Sequence, residues 1–445
     1  MKTERILKKL LSFSVPYLVA SFLQTFYGLA DLFITGQYNG AASITAVSVG
    51  SQVTHFLTVV IAGLAMGVTV LVSRSMGSKE FKRAVSAIGN GVWIFAGLAV
   101  VLTVALLLLT EPILAVLRTP AEAWEQTKAY LWICFCGVPF IVAYNALSSV
   151  FRGLGDTVRP MYCVAAAGIV NIALDYILIG QCHMGAQGAA LGTIAAQAFS
   201  VVLSLAVLVR RDYGIAFSRE LLYPSRDSLK KIFAVGLPIA VQDGCIQVAF
   251  LSITAIANAR GVDTAAAVGI VEKLIGFFFL VPSAFGSATS ALVARYLGSG
   301  EEEAGRINLR MAVQICMVYG AVLAAVCWLV PSQIVGLFAG GEEAVIALGV
   351  QYLRAYIFDC MIAGVHFCFS GYFTAYGRSW ISFLHNMISI VLVRIPGAYL
   401  ASVCFPDTLF PMGLAAPGGS LLSAGICVAA YRILFSDSEK LNEKF

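Results

Sequence analysis

Charge is scarce in this chain. Only 12% of its 445 residues are Asp, Glu, Lys or Arg, while 59% are apolar and the mean hydropathy is +0.87. A soluble globular protein carries about 25% charged residues, so a water-soluble fold of this length is excluded. Histidine is rarer still, at four residues, and most of the eleven cysteines lie inside apolar stretches, as Cys134, Cys163, Cys245, Cys316, Cys327 and Cys427 do. Free cysteine in such places behaves as a small hydrophobe. Cys134 and Cys136 are spaced C-x-C, not C-x-x-C, and no His stands at a matching offset, so neither a metal nor a redox site is expected. H-E-x-x-H, G-x-S-x-G and Walker-type strings are missing too, which removes the basis for hydrolytic chemistry, for ATP as a partner and for a cofactor. The net charge of +5 is spread over many short segments and forms no basic face, so nucleic acid is not expected as a partner.

Long apolar runs are what the chain has instead. Broken at Gly, Pro and charge, they predict spans near 13–35, 44–72, 84–110, 128–151, 160–180, 185–209, 232–258, 264–293, 310–331, 350–375, 380–404 and 412–434. The first run follows Lys8 and Lys9 but is too long for a signal peptide and contains Asp31, so it reads as a retained span. The fold class is therefore all-α integral membrane, with twelve transmembrane helices. A polar segment at 210–231 separates an N-lobe, 1–209, from a C-lobe, 232–445. With a cytoplasmic N-terminus, twenty-three of the 29 Lys and Arg fall in inside segments, against Arg118, Lys128, Arg260 and Arg354 outside. That bias predicts a multi-pass protein of the cell membrane with both termini cytoplasmic, its juxtamembrane bases facing anionic lipid.

The halves repeat. At an offset of 221 residues Ala46-Val47 meets Ala267-Val268, and Leu71-Val72-Ser73-Arg74-Ser75-Met76-Gly77-Ser78 meets Leu292-Val293-Ala294-Arg295-Tyr296-Leu297-Gly298-Ser299; at 222, Pro16 meets Pro238, Tyr130-Leu131 meets Tyr352-Leu353, and Gly155 meets Gly377. Six spans per repeat is an even number, so the two lobes run the same way, related by a pseudo-two-fold axis along the membrane normal. Such a duplication places a binding cleft between them, within a single chain working as a monomer.

Ionisable residues inside a bilayer mark ion or substrate paths. Seven lie well within the predicted spans, away from their ends: Asp31, Asp175, Asp243, Glu272, Lys273, Asp359 and Arg394. The first half holds two acids and no intramembrane base, so Asp31 and Asp175 require either protonation or a bound cation such as Na⁺. Gln24, Tyr27, Asp31 and Thr35 share one helical face, Asn171 precedes Asp175 by one turn, and Thr193 precedes Gln197 by one turn. Three helices can thus present carboxylates, an amide and hydroxyls to one pocket, or use the same groups as interhelical hydrogen bonds. In the second half the acids have bases. Glu272 beside Lys273, or Arg394 with Asp359 or Asp243, would be structural ion pairs; alternatively Asp359 and Tyr356, with the polar face from Asp243 to Asn258, line the cleft and meet a cationic substrate. His366 and His385 read more readily as packing residues than as titrating ones. Pro16, early in the first span, allows a bend coupled to Asp31. Gly153-Leu154-Gly155-Asp156 matches the GxGD string of intramembrane aspartyl proteases, but it sits between Arg152 and Arg159 in a predicted loop where a turn before Pro160 explains both glycines.

Taken together, the Pro16 span with Leu29-Ala30-Asp31, the loop Phe151-Arg152-Gly153-Leu154-Gly155-Asp156-Thr157 before Pro160, the Asn171 to Asp175 span and Arg394-Ile395-Pro396 resemble the multidrug and toxic compound extrusion (MATE) family over essentially the whole chain. The pattern is most similar to its DinF-like prokaryotic branch. The resemblance implies that Asp31, Asn171, Asp175 and Thr193 form an N-lobe site for H⁺ or Na⁺, with Gln24, Tyr27 and Gln197 beside it and no other metal. Similarity to the NorM branch implies a coupling acid at Asp359, although the acid of its seventh span has no counterpart: Ile246 stands there and Asp243 lies a turn earlier. The expected activity is secondary antiport of amphipathic, cationic small molecules. A flippase for lipid-linked cargo is the related alternative, with Lys273 and Arg394 as the only intramembrane bases to hold it.

Overall fold

The computed structural model describes residues 2–214 and 223–435, and among them the regular elements are all helical. Eleven helices are long and apolar enough to span a membrane: α1 (Lys2–Tyr38), α2 (Ala41–Gly77), α3 (Phe81–Leu108), α5 (Val158–Gln181), α6 (Gly185–Arg210), α7 (Arg226–Asn258), α8 (Val262–Gly298), α9 (Glu302–Leu329), α10 (Glu343–Ala375), α11 (Ser379–Cys404) and α12 (Phe410–Phe435). A twelfth span, α4, consists of Ala121–Cys136 and Val138–Leu154, bent by 47° at Gly137. Each expected span has its helix, and most helices overshoot it. α1 is 37 residues long, about 55 Å at 1.5 Å per residue, against a hydrocarbon layer about 30 Å thick. Hydropathy registers only the part in hydrocarbon, whereas backbone hydrogen bonding carries the helix on through its charged turns. Within the polar segment 210–231, residues 215–222 lie outside the described residues, and Arg226–Lys231 are already the first turns of α7, braced by Lys231 Nζ to Asp227 at 2.6 Å.

The chain packs as two compact units, Val15–Ala240 and Met1–Ser14 with Val241–Phe445. These units do not coincide with the sequence halves. The division falls within α1 and α7, in each case within a turn or so of a helix-interior proline, Pro16 and Pro238. The first turns of α1 group with the second unit, where Lys9 lies 5.6 Å from the Tyr296 ring centroid and Lys2 pairs with Glu303; Leu10 and Phe13 in the same turns are buried. No local pattern in residues 1–14 records those partners.

Repeated positions have repeated environments. Ala46, Val47, Ala267 and Val268 are all 0% exposed, and Tyr130-Leu131 and Tyr352-Leu353 are equally enclosed. Both units place a short helix, Thr110–Val116 or Pro331–Gly336, after their third long span. Both end a helix on a left-handed glycine: Gly155 at φ 89° and Gly377 at φ 75°. The amide of Asp156 then reaches Phe151 O and that of Arg378 reaches Phe373 O, each at 2.9 Å, closing the last turn as a left-handed cap does.

Candidate functional site

Within the unit Val15–Ala240, α1, α5 and α6 bring the first-half polar residues together. Asp31 is 5% exposed, and Asn171 and Asp175 are fully buried. Thr193 Oγ1 donates to Asp31 Oδ2 at 3.0 Å, while Thr35, one turn after Asp31, donates to its backbone carbonyl at 2.7 Å. The Asp175 carboxyl and the Asn171 amide flank the Asp31 carboxyl. Asp31 Oδ1, both carboxylate oxygens of Asp175 and both polar atoms of the Asn171 amide are buried without a hydrogen-bond partner. No ion pair among the described residues involves either acid. The buried base of this unit, Arg152, instead sets its guanidinium 5.1 Å from the Tyr17 ring centroid.

Two local features aim the acids. α5 widens into a π-turn over Tyr176–Gln181, immediately after Asp175, a distortion that often marks functional positions. On α6, Gly192 faces the carboxylate, and a Cβ there would stand 2.4 Å from Asp175 Oδ1. Beside them is a cavity of about 10 Å³, room for roughly one water molecule, lined by residues that include Gln24, Tyr27, Tyr144, Asn171, Thr193 and Gln197. The expected neighbours Gln24, Tyr27 and Gln197 are therefore together. Ser200, also on this wall, continues the face of Thr193 and Gln197 by three residues and was legible in the sequence. Tyr144 and Gly192 were not, since a tyrosine in an apolar run and a glycine in a small-residue helix carry no local signal.

Two buried carboxyls at one point with no base demand a positive charge or shared protons, because an isolated buried carboxylate costs several kcal/mol. The oxygens on offer, from Asp31, Asp175, Asn171 and Thr193, are hard donors of the kind alkali and alkaline-earth cations take. Among the described residues no cluster of three or more His, Cys, Asp or Glu is placed to hold a metal ion.

The second unit resolves its charges differently. Asp359, 0% exposed, receives Arg394 Nη2 at 3.2 Å. Glu272 accepts from Thr254 at 2.9 Å, and Lys273 beside it is exposed. Among the described residues Asp243 meets only Gln242, at 3.5 Å, so of the two partners considered for Arg394 the fold selects Asp359. Tyr356 is buried with its hydroxyl unpartnered. His366 and His385 stack edge to face at 5.6 Å and bond Ser420 and Ser370 at 3.2 and 2.9 Å, as packing residues do. Asp156 of the GxGD string follows the Gly155 cap, where Arg159 and the Tyr213 hydroxyl, the latter at 2.9 Å, hold its carboxylate.

The MatE family model matches residues 16–177 and again 238–400. The chain belongs to the MatE family. The two matches are offset by 222 residues, the spacing read from the sequence repeat, and each begins at one of the paired prolines. Among MatE relatives, the probable multidrug resistance protein YpnP of Bacillus subtilis (strain 168) is 28% identical over 397 residues, covering 89% of this chain and 88% of its own. The multidrug export protein MepA of Staphylococcus saprophyticus is 24% identical, over 84% and 82%. The crystal structure of MATE in complex with MaL6 aligns with a TM-score of 0.91 at 21% identity, covering 97% of both chains. An outward-facing multidrug resistance MATE family transporter of the MOP superfamily aligns at 0.89. These likenesses establish the MatE fold as that of a multi-pass helical membrane protein.

Proposed function

We propose that this chain is a multidrug exporter of the MatE family: a secondary antiporter, not an enzyme, that moves amphipathic, cationic small molecules out of the cell in exchange for H⁺ or Na⁺. The observation that carries the reading is the buried Asp31 and Asp175 pair, without a base and with three of its four oxygens unpartnered. The names of the relatives, multidrug resistance and multidrug export proteins, support the small-molecule cargo. In this reading Asp31, Asp175, Asn171 and Thr193 hold the coupling cation, with Gln24, Tyr27 and Gln197 in its approach. Cation binding favours one transport state and its release the other. The ion gradient then supplies the difference in occupancy that any population shift needs. Pro16 provides the bend through which α1 responds. The protein works as a monomer with both termini cytoplasmic, embedded in lipid and independent of ATP or other cofactors.

Efflux of a fluorescent organic cation from proteoliposomes tests the proposal, with a pH or a Na⁺ gradient imposed in turn. Wild type is expected to respond to one gradient, which names the ion, and Asp31→Asn and Asp175→Asn to fall to the rate of empty vesicles while remaining monodisperse. Undiminished gradient-driven export by Asp31→Asn would overturn the coupling site. If neither gradient moves any cation the cargo class is wrong, and lipid-linked cargo becomes the better reading.

A further inference from the structure

The second unit buries an acid as deeply as the first, yet treats it in the opposite way. Asp359 lies in the first turn after the break of α10 at Ile357 and is 0% exposed. Arg394 Nη2 reaches its Oδ2 at 3.2 Å and Ser420 Oγ at 2.7 Å, and Ser420 Oγ stands 3.2 Å from His366 Nε2. Three helices, α10, α11 and α12, thus converge on one guanidinium.

The local backbone is shaped to put it there. α11 runs as a π-turn over Ile390–Arg394, ending at the arginine itself, so the widened turn sets the direction of this side chain. Opposite, Gly419 on α12 leaves room for the stem: a Cβ at that position would lie 2.5 Å from Arg394 Cγ and 3.0 Å from its Nε. A base held by a carboxylate, a serine, a helix distortion and an absent side chain is a built feature. Asp359 Oδ1 and the Tyr356 hydroxyl are buried and have no hydrogen-bond partner.

We propose that Arg394 is a tethered counter-cation. It supplies to Asp359, covalently and permanently, the positive charge that Asp31 and Asp175 must take from solution. Asp359 therefore holds no exchangeable cation, and removing the guanidinium creates a cation site from Asp359, with Tyr356 and Ser420 as further oxygen ligands. Arg394 acts through Asp359 and is a positioning residue. That a coupling cation binds at Asp31 and Asp175 rests on the function proposed above; the role of Arg394 at Asp359 does not.

Purified full-length protein in detergent tests this by equilibrium binding of radioactive Na⁺ and, for the proton, by the infrared carbonyl band of a protonated carboxyl. The set is wild type, Asp31→Asn, Asp359→Asn, Arg394→Lys, Arg394→Met and Arg394→Met with Asp359→Asn. Wild type and Asp359→Asn are expected to bind the same number of cations and to show the same carboxyl band. Arg394→Met should gain one Na⁺ equivalent or one protonated carboxyl per chain, lost again in the double variant, while Arg394→Lys behaves as wild type. A cation equivalent or carboxyl band lost in Asp359→Asn alone would overturn the proposal, since Asp359 would then already exchange its ion. So would an Arg394→Met that folds and gains neither. Should Arg394→Met fail to fold, the comparison of wild type with Asp359→Asn decides. If instead Asp31→Asn loses nothing, the coupling site of the first unit fails while the Asp359 result stands by itself.

Discussion

Thr193 Oγ1 lies 3.0 Å from Asp31 Oδ2, a hydrogen bond between helices α6 and α1 whose residues are 162 positions apart in sequence. It gives the Asp31 carboxyl its one partnered oxygen and pins the first and last spans of the sequence half at the level of the acids. Hydrogen bonds to charged groups contribute about 1.5–3 kcal/mol. Thr193→Val should therefore weaken cation binding by roughly 10-fold or more, and Thr193→Ser should recover most of it. Isothermal titration of purified protein with the coupling cation measures both. Wild-type affinity in Thr193→Val with loss in Thr193→Ser would mean that the methyl group, not the hydroxyl, matters.

Gly192 makes the approach of Asp175 to α6 possible. With a Cβ 2.4 Å from the carboxylate oxygen, Gly192→Ala must displace Asp175, and overpacking of this kind costs about 1–3 kcal/mol. The expected outcome is a lower melting temperature together with loss of cation-dependent thermal stabilisation. Gly425, whose added Cβ would meet no atom within 4 Å, is the control: Gly425→Ala should melt like wild type and keep the cation response.

The twin caps should cost alike. An alanine in the left-handed region costs roughly 1–2 kcal/mol, so Gly155→Ala and Gly377→Ala should each lower stability by about that amount, at φ 89° and 75°. Thermal unfolding followed by circular dichroism would show it. A neutral result at one cap and not the other would break the structural equivalence of the repeats.

Tyr213, beyond the end of α6, predicts an alkaline limit. Burial, and then its hydrogen bond to Asp156, push the phenol above its ordinary range. The unfolded chain ionises near pH 10 while the folded one still holds its proton. The resulting stabilisation is complete below that pH and is lost as pH rises above it. Unfolding of Tyr213→Phe between about pH 9 and 11 should show a shallower decline than wild type; identical slopes would show that this hydroxyl does not contribute.

How much of this was legible in the sequence depends on the range of the physics involved. Hydropathy and helical periodicity are local, so the twelve spans, the duplication at 221 to 222 residues and the shared faces of Gln24 to Thr35 and of Thr193 to Gln197 could be read directly, as could the lack of an intramembrane base beside the first-half acids. Span ends could not, because a helix continues on backbone hydrogen bonds after the apolar run stops.

What tertiary structure alone decided is which distant groups meet. Three acids and two bases in the second half allow several pairings by charge, and only packing selects Arg394 with Asp359, through a π-turn and a glycine that no periodicity announces. Gly192 became part of the acid site only when Asp175 was seen against it. Residues 1–14 belong with Val241–Phe445, where Lys2 meets Glu303 and Lys9 meets Tyr296. The sequence thus determined the elements and the kind of chemistry, since both follow from the composition of short segments in a bilayer. Membership of each site was settled by close packing, where a few tenths of an ångström between helices far apart in the chain decide which polar atoms are partnered and which are not.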